Sequence, residues 1–292
     1  MKKPVLKDSS FLRESSLLEE EDILGDLIEK KGPLLFLGRY SINEVKAVLN
    51  KRNFLHEARK RKLWPLQFEL DSSEFPVQRL LIYCREKRPE NVVVDLKIRE
   101  GRFRAEHENF NSRGFSFEGF KFLVLEWLTL QNPLQSFSAD RLPLPGQKYP
   151  GLGLGKKVLD VFVYLARLTG CDGILAFPAY FHNALLFSRY FHFLNPEKKA
   201  EVNAVKECTR EVTFKQLAWI VYLECLRDRD DKVYEWKAEE MVFPLHKRLR
   251  AYFDSKEYRK RVREARKALR YWIDWESYGV RSCIITPVEN SK

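Results

Sequence analysis

Apolar and polar positions alternate along this chain with two different periods, and the places where the period changes predict its elements. Val92, Val94, Leu96 and Ile98 fall on one face of an extended segment, with Asp95, Lys97 and Arg99 on the other. A two-residue period predicts a half-exposed strand. Arg79 to Glu86 predicts a strand before it, with a turn at Lys87 to Asn91. Lys121 to Gln131 is apolar on both faces and predicts a strand in the middle of a sheet. From Lys156 to Thr169 the polar residues Lys156, Asp160, Tyr164 and Arg167 trace one helical stripe, so a helix packed largely inside is expected, stopped by Gly170. Gly173 to Pro178 predicts a short strand and His182 to Phe191 a second helix.

The flanks are read in the same way. Residues 1 to 14 form an arm, and Ser15-Ser16 open a short helix to about Lys31 that Gly32-Pro33 ends. Leu34 to Leu37 reads as a buried strand, and Ser41 precedes a helical stretch to about Lys62. Beyond Asn195, Thr213 to Leu226 and Pro244 to Trp275 predict helices, and Arg281 to Val288 a final strand. The strand–helix–strand unit over 121 to 178 implies a parallel pair joined by a right-handed crossover. The expected class is therefore α/β (α+β): a mixed central sheet flanked by helices. Residues 1–32 are an arm with a short helix, 33–195 the sheet domain, and 196–292 a basic, mostly helical extension.

Composition bounds the function classes. A chain of 292 residues with 45% hydrophobic and 13% aromatic residues can bury a sizeable core. The apolar run Leu217 to Leu223 stops at Glu224, far short of the roughly 20 residues a membrane span needs. The N-terminus carries charge but no apolar signal segment, so a soluble cytoplasmic protein is expected. The five cysteines and five histidines show neither a Cys-x-x-Cys pair nor metal-ligand spacing, which argues against a disulfide framework and against zinc.

The most informative stretch is Pro-Gly-Gln-Lys-Tyr-Pro-Gly-Leu-Gly-Leu-Gly-Lys-Lys, Pro145 to Lys157. Glycine lets a backbone approach a ligand closely, and a helix start offers free N–H groups to an anion. A P-loop needs Gly-x-x-x-x-Gly-Lys-Ser/Thr; here Pro150 takes the first glycine position and Lys157 the hydroxyl position. The dinucleotide fingerprint Gly-x-Gly-x-x-Gly fails as well, because Gly151, Gly153 and Gly155 are evenly spaced.

The stretch and its surroundings resemble the GNAT N-acetyltransferase superfamily, most strongly over 121 to 193. That family's acyl-CoA loop follows a central strand and reads Gln/Arg-x-x-Gly-x-Gly/Ala. Gly153-Leu154-Gly155-Lys156 fits its glycine part. The Gln/Arg position falls on Pro150; Gln147 or Lys148 would substitute, or the frame is Lys148-x-x-Gly151-x-Gly153. The family's next helix reads Ala-x-x-Leu-Tyr-x-x-x-Gly-Phe, and here Asn183 precedes Ala184, with Phe193 at the final position. The family's tyrosine, often the proton donor to the departing thiolate, falls on Ser188, and its glycine on His192. Tyr190, about 200° further round the helix, is a poor replacement.

The resemblance implies a GNAT-like fold, acetyl-CoA or another acyl-CoA as cofactor, and N-acyl transfer to an amine. The implied cofactor residues are Gln147, Lys148, Gly151, Gly153, Leu154, Gly155, Lys156 and Asn183. Lys157 would add charge, and Asn183 reads most simply as a helix N-cap. Glu126, the ionisable residue inside the central apolar strand, is the candidate base, since burial would raise its pKa; the competing reading makes it an ion-pair partner. Ser188 or His192 is the candidate proton donor, although histidines such as His182 and His192 more often pack or cap.

Net charge is +11, and between Lys247 and Arg270 eleven Lys/Arg face Asp254, Glu257 and Glu264, a local balance of +8. Leu249, Tyr252, Phe253, Val262, Ala265, Leu269, Trp272 and Ile273 recur at helical spacing, interrupted near Ser255. Arg259, Lys260, Arg263, Arg266, Lys267 and Arg270 lie opposite. Such a strip suits nucleic acid, an anionic membrane or an acidic protein, or is a solvated face. Trp272 and Trp275 are expected in the core. The alternative function is thus a GNAT-like module without catalysis that uses the basic helix to bind.

Overall fold

The computed structural model describes residues 35–102, 115–138 and 141–285. The arm and helix expected before Leu34, much of the loop after Arg102, and residues 286–288 of the expected last strand lie outside them.

Two short helices open the described chain. Helix α1 (Ile42–Lys51) starts at Ser41, whose hydroxyl accepts the Glu44 N–H while the Glu44 carboxylate accepts the Ser41 N–H. Asn53 at φ 60° then breaks the expected single helix, and α2 (Phe54–Lys60) follows. Of the strand expected over Leu34 to Leu37, the described part, residues 35 to 37, is a turn instead. Leu37 and Gly38 have φ of 52° and 63°, and Phe36 bridges to Tyr40 in a tight turn. The buried Gln78 side chain holds that turn, accepting the Leu37 N–H and donating to the Leu35 carbonyl.

A seven-stranded mixed sheet forms the centre. In chain order its strands are β1 (Leu66–Asp71), β2 (Gln78–Cys84), β3 (Val92–Arg102), β4 (Lys121–Leu130), β5 (Gly173–Ala176), β6 (His192–Phe193) and β8 (Met241–Pro244). Their spatial order is β1-β2-β3-β4-β5-β8-β6, antiparallel everywhere except the parallel pair β4–β5. Helix α3 (Gly155–Leu168) joins that pair, as the periodicity predicts. Residues 196–292, read as an extension, supply β8, which sits between β5 and β6.

The sheet carries core on both faces, which explains the apolar character of β4. Leu123 and Leu125 join a cluster with Val45, Phe54, Val158 and Leu165 on the α1–α3 side. Phe122 and Val124 join another with Leu249, Tyr252 and Phe253. The α1–α3 side retains an apolar cavity of about 50 Å³ between Val45, Leu49, Leu128, Leu130, Val161 and Phe162. The architecture is mixed α/β, a mostly antiparallel seven-stranded sheet flanked by helices.

Helices α4 (Phe181–Phe187), α5 (Pro196–Cys208) and α6 (Phe214–Tyr222) precede a small second sheet of β7 (Leu226–Asp228) and β9 (Tyr271–Ile273). The helical stretch expected over Pro244 to Trp275, with its interruption near Ser255, is two helices, α7 (Lys247–Asp254) and α8 (Lys256–Ala268), meeting at Ser255. Ser255 ends one and caps the other by accepting the Tyr258 N–H. The strand expected from Arg281 is absent over the described part: α9 (Trp275–Arg281) ends there and a 3₁₀ turn covers Ser282–Ile284. Trp272, in β9, and Trp275, at the start of α9, are not core residues but are 47% and 55% exposed. Among the described residues no helix is long and apolar enough to cross a membrane.

Candidate functional site

Strand β4 changes its pairing at one residue. On the β3 side, Lys97 faces Trp127 and the next residue, Ile98, faces Leu125, so Glu126 is one residue too many: a β-bulge. On the β5 side, the last pair is Leu125 with Ala176. Among the described residues no strand pairs with β4 on that side from Glu126 to Thr129. The bulge bends β4 at the point where β5 ends, and the two parallel strands part there.

Beyond the parted edge the glycine segment turns back onto β4. The Asn132 N–H donates to the Pro150 carbonyl at 2.7 Å and the Leu152 N–H to the Leu130 carbonyl at 3.4 Å, while Gly151 bridges to Gln131. Gly153, at φ +69°, needs the left-handed conformation that glycine adopts freely. Helix α3 begins at Gly155, and Leu154 at its N-cap offers no side-chain acceptor. The first turn closes with the Val158 N–H on the Leu154 carbonyl. Among the described residues, no acceptor meets the N–H groups of Gly155, Lys156 and Lys157. An uncapped helix start of this kind attracts an anion.

The two lysines there differ. Lys157 donates to Glu57 at 2.8 Å, and Arg61 donates to the same carboxylate at 2.5 Å. Together they hold Glu57 down at about 2. Lys156 is exposed and has no partner among the described residues. Gln147 and Lys148 have local contacts. The Gln147 side-chain Oε1 accepts the Leu144 N–H at 3.0 Å, and the Lys148 ammonium lies 5.3 Å from the Tyr149 ring centre. That turn is pinned from two sides. Trp219 donates to the Pro143 carbonyl at 2.9 Å, and Gly146 (φ +77°) lies so close to the Tyr180 hydroxyl and ring that a methyl group would collide with them.

Glu126 is not a solitary buried carboxylate. Arg99, on the neighbouring strand, donates through Nε to Glu126 Oε1 at 2.5 Å, and the two side chains are only 12% and 21% exposed. The Arg99 Nη1 atom is buried without a partner. Asn183 is the third residue of α4, and its N–H bonds the Tyr180 carbonyl at 3.0 Å; the N-cap is Tyr180, so the capping role read for Asn183 is corrected. Ser188 ends α4, and its hydroxyl donates to the Leu185 carbonyl at 2.8 Å. His182 is buried and stacked on Tyr180, and burial pushes it down to about 4. His192 stacks on Phe253, with ring centres 4.8 Å apart.

The structure thus brings the glycine segment, the start of α3 and the parted β4 edge together, but among the described residues no hydrogen bond joins Ser188 or Asn183 to them. Two residues escape a sequence reading. Arg99 was legible only as the polar face of β3, because its partner lies 27 positions away. Tyr180 carries a hydroxyl with no hydrogen bond among the described residues, and burial raises its pKa. The only sequence signal for it was its place just before an apolar helix.

No protein-family model matches the chain, and no curated protein matches it. Six solved chains match in structure. One is described as a crystal structure of AtaTR bound with AcCoA, with 11% identity, 76% of this chain and 92% of that chain covered, and a TM-score of 0.28. At that score the likeness adds nothing to the topology described above.

Proposed function

We propose that the protein is an acyl-CoA-dependent N-acyltransferase, with acetyl-CoA as the first cofactor to test. The parting of β4 and β5 carries the reading. Their pairing stops at Leu125 and Ala176, a bulge bends β4 away at Glu126, and an uncapped helix start lies beyond the exposed edge. The edge N–H and C=O groups of 126 to 129 would bind an amide-bearing chain by strand addition, as a pantetheine requires. The N–H groups of Gly155, Lys156 and Lys157, with the Lys156 ammonium, would hold the pyrophosphate; Gly151, Gly153 and Leu154 shape the turn beneath it.

Acyl transfer to an amine needs a proton acceptor beside the nucleophile and a donor for the departing thiolate. Glu126 is the candidate acceptor, oriented by Arg99. Tyr180 replaces Ser188 as the better donor, because the Ser188 proton is engaged by its own helix. The same observation favours a second reading, acyl-CoA binding without turnover. Calorimetry at low salt tests the first step: acetyl-CoA and CoA bind the wild type, and Gly153→Glu, with an unchanged circular dichroism spectrum, weakens both. A wild type that binds neither rules out the proposal. Thiol release from acetyl-CoA in the presence of an amine mixture then separates turnover from binding.

A further inference from the structure

The acyl-CoA reading leaves the basic helix unused. Helix α8 packs one side onto α5 through two ion pairs. Arg261 forms a bidentate contact with Glu197, at 2.9 and 3.1 Å through Nη2, and Arg266 pairs with Glu207. These two arginines are consumed in holding the helix. The opposite side carries Lys256, Arg259, Lys260, Arg263 and Lys267, all exposed. At 3.6 residues per turn these five fall within about 100° of the circumference and extend about 16 Å along the axis. Arg259 and Lys260 have long exposed contacts to Asp254 and Glu264, at 3.4 and 3.9 Å. Lys256, Arg263 and Lys267 have no carboxylate partner among the described residues.

The chain then turns so that aromatic rings follow the cations. The Arg270 guanidinium folds back onto the helix end, donating to the Lys267 and Leu269 carbonyls at 3.2 and 2.7 Å. Next come Trp272 and Trp275, 47% and 55% exposed. A solvated face explains charges but not two large indoles left exposed so soon after them in the chain.

We infer that α8 with Trp272 and Trp275 is a docking surface for single-stranded nucleic acid. Cations spaced one helical turn apart neutralise successive phosphates, and exposed indoles stack on bases that a duplex keeps paired. An anionic membrane or an acidic protein would use the cations but gain nothing specific from stacking. The surface is independent of the acyl-CoA site.

Fluorescence anisotropy of the full chain with labelled 12-nucleotide oligouridylate and oligothymidylate tests it. At least one oligomer binds, and its log affinity falls against log salt with a slope of about −3 to −4, since each neutralised phosphate on a single strand contributes about −0.7. Arg263→Glu with Lys267→Glu weakens binding at least tenfold. Trp272→Ala with Trp275→Ala weakens it about tenfold and leaves the salt slope unchanged. Both variants melt within a few degrees of the wild type, because the altered side chains are exposed. Any one of the following overturns the inference: neither oligomer binds at low salt, the tryptophan variant binds as well as the wild type, or a 12-base-pair duplex, phosphatidylserine vesicles or polyglutamate binds as tightly as the single strand.

Discussion

The Arg99 guanidinium meets the Glu126 carboxylate at 2.5 Å, at the residue where β4 bulges and leaves β5. One charge pair therefore fixes the side chain of the bulge and the orientation of the candidate base. Glu126→Gln strands a mostly buried guanidinium, and after allowing for partial exposure it destabilises the fold by about 2 kcal/mol in urea denaturation. Arg99→Met combined with Glu126→Leu recovers most of that loss. CoA affinity survives Glu126→Gln within a few-fold, whereas any acetyl transfer falls at least a hundredfold.

Gly153 and Gly155 look alike in the sequence and differ in the fold. Gly153 has φ +69° with open space around it, so an added methyl strains the backbone without a clash. Gly153→Ala is expected to lower stability by about 1 kcal/mol and CoA affinity about tenfold. Gly155→Ala, on the first helical residue and likewise open, leaves stability within about 0.5 kcal/mol of wild type. Equal effects of the two changes would refute the role given to the turn.

Lys157 and Arg61 hold Glu57 at about 2, below its ordinary value of 4.5. A depressed carboxylate stabilises the fold above its unfolded pKa, and that contribution disappears as pH falls from about 4.5 to about 2. The contact ties α2 to the first turn of α3. In Lys157→Ala the melting temperature is expected to decline less steeply across this window, and unfolding followed by circular dichroism measures it.

Glu240, the residue before β8, behaves in the opposite sense. Burial pushes its carboxyl up to about 7. The unfolded chain releases this proton at a lower pH than the fold does, so stability is full below about 4.5 and is lost as pH rises towards 7. Glu240→Gln keeps the neutral shape and should stabilise the protein by up to about 3 kcal/mol at pH 8, with no gain at pH 4. A gain of equal size at both values would contradict this account.

The long elements were legible because their periods are strong. The alternation of β3, the two-faced apolarity of β4 and the polar stripe of α3 each correspond to packing on the observed faces. Strand β1 alternates as clearly, with Leu66, Phe68 and Leu70 facing the core, but as an edge strand it buries no residue completely, and the sequence reading assigns it no element. Strand β8 has four residues, too few for a period to register. The interruption near Ser255 showed in the apolar spacing, whereas the break at Asn53 turns on a left-handed backbone, which helical periodicity does not record. At the candidate site the glycines were visible, whereas the bulge, the Arg99 contact and the Tyr180–Gly146 approach depend on residues brought together across the sheet.

Strand β8 also bears on how the chain assembles. Ala176 lies beside Met241 though they are 65 positions apart, and Phe193 meets the same residue from 48 positions away. An interior strand is therefore among the last sheet segments to leave the ribosome. Until it does, β5 presents a bare, wholly apolar edge, and β6 has nothing to pair with. Closure of such non-local contacts is slow, and an exposed edge invites pairing with another chain. The nascent protein thus passes through a stage, ending near residue 244, in which its danger is self-association rather than unfolding.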